Sequence, residues 1–179
     1  MPKTVISVFG SSHCKEQSDL YCEALELGEA LAKAGYAVAS GGYGGVMEAV
    51  SRGAAESGGQ VIGVIASSIS TNANRWVQQK IIVENWEQRL HKLIALGGGY
   101  VTCRGGTGTL VELAVAWEVM NKRFVPRRPL VVLGEFWWPV VKLVAASEDG
   151  AGSESLVSLA KSVPVAVEAL GKHFSREAR

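Results

Sequence analysis

Apolar residues along the chain recur at two periods, and the two alternate. Short β-branched or apolar runs at residues 4–9, 36–40, 61–65, 80–83, 100–103, 130–133 and 156–160 read as strands. Between them the apolar spacing is helical. Ser18 or Asp19 caps a helix whose stripe is Leu20, Ala24, Leu27, Leu31 and Ala34, and Gly35 stops it. Val46, Val50 and Ala54 share one face of residues 46–57, closed by Gly58 and Gly59. Asn85 caps residues 86–95, with Trp86, Leu90, Leu93 and Ile94 inward, and Leu110, Leu113, Ala114, Trp117 and Met120 mark residues 110–120. Phe136, Trp137, Trp138 and Pro139 open a helix through Val144, with the three aromatics read as core rather than as a pocket lid. Ser162, Val163 and Pro164 start the last helix, where Val167 and Leu170 face the core and residues 172–179 fray. Strands alternating with helices of this length imply an α/β fold: a mainly parallel sheet with helices on both faces, a three-layer sandwich.

Three segments lack either period. Residues 66–79 are Ser/Asn-rich and read as a mobile surface loop beside a ligand, either a lid or a plain exposed connection. Residues 121–129 carry Lys122, Arg123, Arg127 and Arg128; a solvated loop is the first reading, a subunit edge or a phosphate-attracting loop the others. Residues 148–153 read as a flexible loop. At 179 residues the chain makes one domain, 1–179, and 47% hydrophobic with 20% charged residues is ordinary for a soluble protein. A formal net charge of +1 gives no basic field for nucleic acid. Cys14, Cys22 and Cys103 have no zinc or disulfide spacing, no signal-peptide pattern stands at the start, and no apolar run reaches membrane-spanning length. A cytoplasmic protein with no membrane partner is the expectation.

Chemistry concentrates in two glycine loops. Gly105, Gly106 and Gly108 stand where a strand turns into a helix, with Thr107 and Thr109 between them, and bare N–H groups at a helix N-terminus suit an anion. Gly41, Gly42, Gly44 and Gly45 again follow an apolar run and open a helix. Ligands of such sheets sit outside the carboxyl ends of the strands, where both loops and Gly10-Ser11-Ser12 converge. The alternative is a buried turn that needs small residues.

The stretch Gly105-Gly106-Thr107-Gly108-Thr109-Leu110-Val111-Glu112 resembles the P-G-G-x-G-T-x-x-E signature of the LOG family, nucleoside 5′-monophosphate phosphoribohydrolases of cytokinin biosynthesis once labelled lysine decarboxylases. Gly44-Gly45-Val46-Met47 resembles the family's G-x-x-G-L-M-G segment, residues 55–64 its downstream strand, and Arg89, fifteen residues before Arg104, its catalytic arginine. The similarity runs from Val5 to about Val144. The chain departs from the family at Arg104, where the family has proline, at Trp86 and Leu90, where it has Met and Lys, and at Glu48, where it has glycine. The wider superfamily includes molybdenum-cofactor carrier proteins with the same glycine loops.

The resemblance implies a Rossmann-like nucleotide-binding fold and hydrolysis of the N-glycosidic bond of AMP or a cytokinin-like monophosphate, with no cofactor and no metal. Glu112 would stabilise an oxocarbenium-like centre or orient water, and Arg89 would hold base or phosphate. The 5′-phosphate would lie on Gly105, Gly106, Thr107, Gly108 and Thr109, walled by Gly41, Gly42, Gly44 and Gly45. The alternative implied is a binding or carrier protein for a nucleotide or the molybdenum cofactor without turnover. Family members also imply a homodimer or larger assembly. Glu112 taken alone reads first as a first-turn carboxylate on the helix dipole, and the motif around it reverses that preference in favour of the site. By helical position alone Arg89 is a surface residue. Arg104 either meets phosphate or pairs with a carboxylate, and Ser11 and Ser12 either touch a sugar or cap a turn. His13 reads as an exposed histidine, His91 and His173 as surface, and Cys103 as a buried thiol.

Overall fold

The computed structural model describes residues 3–147 and 153–177, so the loop expected at 148–153 lies, but for Ser153, outside the described residues. Seven strands form one sheet among them: β1 (Val5–Phe9), β2 (Ala37–Ser40), β3 (Val61–Ala66), β4 (Gln79–Val83), β5 (Gly99–Thr102), β6 (Leu130–Leu133) and β7 (Val157–Ala160). The helices are α1 (Asp19–Lys33), α2 (Val46–Glu56), α3 (Trp86–Leu96), α4 (Thr107–Asn121), α5 (Trp138–Ser147) and α6 (Val163–Glu177). Strand order is β4-β3-β2-β1-β5-β6-β7 and every pairing is parallel. The chain builds outward from β1 in one direction to β4, then crosses to β5 on the other side of β1. The gap between the carboxyl ends of β1 and β5 is therefore the topological switch point, the crevice where ligands of open α/β sheets bind.

The two faces have separate cores. On one, α1, α2 and α6 cover Ile6, Val8, Val38, Val61 and Val101; on the other, α3, α4 and α5 cover Phe9, Ala39, Val64, Tyr100 and Val132. Helices α1 and α2 touch backbone to backbone, because a Cβ on Gly28 would stand 2.1 Å from the Val50 carbonyl oxygen and one on Gly53 2.0 Å from that of Leu25. Ser18 caps α1, accepting from the Tyr21 N–H, and Asn85 caps α3, accepting from the Gln88 N–H at 2.9 Å.

Several expectations change. Helix α4 begins at Thr107 rather than Leu110, so Thr107, Gly108 and Thr109 are its first turn and Glu112 its sixth residue. Helix α6 stays regular to Glu177, its turn at 168–172 tied by the Glu168–Lys172 pair, where fraying was expected from residue 172. Of the three aromatics at the start of α5 only Trp137 is core, its indole N–H donating to the Cys103 carbonyl at 3.0 Å; Phe136 is exposed and Trp138 half-buried. Ala34 and Ala114, counted with the apolar stripes of α1 and α4, are exposed as well. Residues 67–78 join two parallel strands with no helix between them, an unusual crossover. They are not loose. The Tyr43 hydroxyl accepts from the Ala66 N–H and lies within hydrogen-bond distance of the Ala66 and Ser70 carbonyls. Asn74 is tied to the Gly42 and Tyr43 carbonyls.

Candidate functional site

Three loops leave the carboxyl ends of β1, β2 and β5 and meet at Ser11. Its N–H donates to the Arg104 carbonyl at 3.1 Å and its carbonyl accepts from the Val46 N–H at 2.8 Å. Its hydroxyl accepts from the His13 N–H at 3.1 Å, and Ser12 Oγ lies 2.9 Å from His13 Nδ1. Against this knot opens a cavity of about 350 Å³. The first loop lines it with Gly10, Ser11, Ser12 and His13, the second with Tyr43 and Met47, the crossover segment with Ile69, α3 with Trp86 and Arg89, and α4 with Gly106, Thr107, Gly108, Thr109 and Glu112.

The N-terminus of α4 faces this cavity without a protein cap. Gly106 is the N-cap residue, no side chain closes the helix end, and among the described residues the first-turn amides of Thr107, Gly108 and Thr109 meet no acceptor. Uncapped amides with the positive end of the helix dipole make a ready anion site. Thr109 is buried beside them and brings its hydroxyl. Gly106 and Gly108 have no internal reason to be glycine: neither has a left-handed φ, and a Cβ on either would meet nothing within 4 Å. What their missing side chains leave open is the approach to the amides.

The other glycine loop differs. A Cβ on Gly41 would collide with the Arg89 guanidinium, 1.3 Å from Nη2. Gly42 and Gly45 have φ of +71° and +66°, and Gly45 also packs on the Ser11–Ser12 backbone. Gly44 has room for a side chain but does not reach the cavity. This loop seats the site, and its lining residues are Tyr43 and Met47. Gly105 likewise does not line the cavity, and a Cβ on it would stand 2.2 Å from Thr109 Oγ1 and 2.9 Å from the Ser11 amide nitrogen.

Arg89, a surface residue by helical position alone, is only 7% exposed. Its Nε donates to the Val64 carbonyl at 3.0 Å, Nη2 lies 3.4 Å from the Met47 sulfur, and the guanidinium stands 5.3 Å from the Tyr43 ring centroid. Nη1 lies 3.8 Å from Glu112 Oε1. The Glu112 side chain, 13% exposed, sees the cavity, and burial pushes its carboxyl up to about 7 against the lowering pull of Arg89. A carboxyl poised there can hold or release a proton near neutrality. Arg104 points away, over the Phe136 ring at 5.1 Å, and does not line the cavity. Burial pushes the Cys103 thiol up, which keeps it protonated.

Sequence reasoning missed part of the lining. Trp86 counted as inward by its spacing, yet it is 39% exposed at the cavity mouth. Position one of a helix lies at its end, where the inward stripe opens onto the loops. Ile69, an apolar residue in a polar segment, and Tyr43, an aromatic inside a glycine run, were the visible signals of the others.

Residues 3–165 match the family model described as LDcluster4, the SLOG cluster4 family. The match agrees with the superfamily to which the LOG-like motif pointed. An uncharacterized protein of Archaeoglobus fulgidus is 30% identical over 128 residues, 72% of this chain and 82% of that protein. The solved structure of the molybdenum cofactor binding protein from the phototrophic bacterium Rippkaea orientalis is similar over 97% of this chain and 99% of its own, with 27% identity and a TM-score of 0.80. That of the molybdenum cofactor carrier protein from Chlamydomonas reinhardtii covers the same shares at 26% identity and a TM-score of 0.78. Among the described residues no helix is long and apolar enough to cross a membrane.

Proposed function

As the chain belongs to the SLOG cluster4 family, we propose that it binds and holds a phosphate-bearing pterin of the molybdenum-cofactor type at the β1/β5 switch point, without turning it over. The observation that carries this reading is the open N-terminus of α4, with Gly106 and Gly108 kept bare for no internal reason. In this reading the terminal phosphate lies on the amides of Thr107, Gly108 and Thr109 with the two threonine hydroxyls. The flat heterocycle lies toward Trp86, Tyr43 and Met47, and Ser11, Ser12 and His13 supply polar edge contacts. Two solved neighbours, a molybdenum cofactor binding protein and a molybdenum cofactor carrier protein, are similar to this chain over nearly their whole length and support this ligand class.

The second reading is the phosphoribohydrolase, and the observation that favours it is the Arg89–Glu112 pair inside the same cavity. A cation-stabilising carboxylate must be ionised, whereas burial pushes Glu112 up to about 7 and leaves it only partly ionised at neutral pH, and Arg89 turns its Nε and Nη2 to Val64 and Met47. These features favour holding over cleavage. The test is anaerobic incubation with molybdenum cofactor released from a molybdoenzyme, followed by gel filtration and measurement of molybdenum and pterin in the protein peak. In parallel, AMP and N6-isopentenyl AMP are incubated and free base is sought by liquid chromatography. Near-stoichiometric retention with no base release is expected. Base release lost in Glu112→Gln, with no retention, would replace the carrier reading by the hydrolase.

A further inference from the structure

The opposite edge of the sheet carries a second recess. At the amino-terminal ends of β6 and β7, against the last turns of α6, lies a hollow of about 450 Å³ lined by Arg127, Arg128, Lys172, His173 and Arg176. Arg127, Ser155 and Leu156 also line a neighbouring, wider hollow of about 680 Å³, together with Phe124, Val125 and Pro126. Among the described residues no carboxylate lines either hollow.

Two of the cations are held in place rather than trailing in solvent. Arg127 Nη2 donates to the Ser155 carbonyl and hydroxyl, at 2.9 and 2.8 Å. Arg128 Nη1 donates to the Ile94 and Gly97 carbonyls, at 2.9 and 2.6 Å, and lies 2.8 Å from the Tyr100 hydroxyl. Its Nε and Nη2 meet no partner among the described residues, and neither does Arg176. Lys172 is paired with Glu168. A fixed fork loses less freedom on binding an oxyanion than a flexible one.

The apolar end is fixed as well. Phe124 is 78% exposed, yet its N–H donates to the Val119 carbonyl at 2.8 Å. The turn before it puts Arg123 at φ +59°, a conformation that L side chains rarely adopt. The same turn closes the C-terminus of α4, with the Arg123 N–H donating to the Met120 carbonyl at 3.0 Å, and what it leaves over is the exposed Phe124 ring, a flat face on which a flat ligand can stack.

We propose that this groove is a second binding site, for a nucleotide bearing two or more phosphates, with the base on Phe124 and the phosphates on Arg127, Arg128 and Arg176. Cations gathered around one hollow with a single aromatic beside it fit one small molecule better than a long polyanion, which tracks along a continuous basic path with several stacking aromatics. The site lies on the edge opposite the cavity and does not depend on what that cavity holds.

Calorimetric titration of the full chain with ATP, tripolyphosphate and a single-stranded oligothymidylate tests it, using Arg176→Ala, Phe124→Ala and Gly106→Asp. The expected result is saturable ATP binding at one per chain, weakened about three- to tenfold by each of the first two substitutions. Tripolyphosphate binding is weakened by Arg176→Ala and unchanged by Phe124→Ala, and Gly106→Asp alters neither. Three outcomes overturn the proposal: no saturable binding, loss of ATP binding in Gly106→Asp, which puts the ligand in the other cavity, or oligothymidylate binding tighter than ATP, which makes the face a nucleic-acid surface.

Discussion

Arg89 is the residue on which the site depends most, and its neighbours are shaped to fit it. A guanidinium buried this far survives because Val64, Met47, Tyr43 and Glu112 each face a part of it. Gly41 supplies the space, since any Cβ there would overlap Nη2. Gly41→Ala is therefore an overpacking change, expected to destabilise the protein by about 1–3 kcal/mol and to displace Arg89 from Glu112. Denaturant midpoints check the first effect and ligand retention the second. Adding Arg89→Ala to the alanine variant removes the clash, so the double variant should lose less than the sum of the singles, with a coupling of roughly 0.5–3 kcal/mol. Additive losses would show that Gly41 matters for some reason other than Arg89.

Helix α4 is the element that links fold to ligand. Gly106→Asp separates the two roles, because its φ of −96° suits any residue and a Cβ there meets nothing. The new carboxylate caps the helix and complements its dipole, so stability should rise by a few tenths to about 1 kcal/mol. The same side chain takes the amides that hold the pterin's phosphate in the proposed function and repels it, so affinity for that pterin, unlike binding in the opposite groove, should fall more than tenfold. Thermal unfolding and ligand titration on one preparation check both; a variant that binds as well as the parent would remove the α4 N-terminus from the site. The glycine motif at the start of α4 was legible in the sequence because a strand-to-helix turn with open amides is written in consecutive residues. So were the strands and helices, whose periods follow from packing against one sheet. The opposite roles of the two glycine loops were not, because Gly41 answers to Arg89 and Gly45 to Ser11, partners distant in sequence. Nor was the exposure of Trp86, which depends on where α3 ends against the loops and not on its own spacing. The burial of Arg89, likewise, is set by β3 and α2 rather than by α3.

At the scale of the whole molecule, Glu112 couples stability to pH. In an unfolded chain its carboxyl titrates at about 4.5, and in the fold burial pushes it up to about 7. Between those two values the unfolded state has already released a proton that the folded state keeps, so stability falls as pH rises. The contribution is fully present below pH 4.5, is lost progressively as pH climbs through 7, and changes little above that. Its span is on the order of 3 kcal/mol. Glu112→Gln keeps the shape and removes the titration, so the difference between parent and variant in denaturant midpoint isolates this one group from the rest of the chain's titration. That difference should move against the parent from pH 5 to pH 7 and then level off; a flat difference would mean that water in the cavity keeps the carboxyl near its ordinary value. The same linkage reaches the ligand. A phosphate on the α4 amides is almost wholly dianionic above pH 7, with its second ionisation near pH 6. Any further loss of affinity above that point is then the repulsion of an ionised Glu112 across the cavity. Affinity of the parent should fall between pH 7 and 8.5 while that of Glu112→Gln stays level, which ties the carboxyl deep in the sheet crevice to the anion at its mouth.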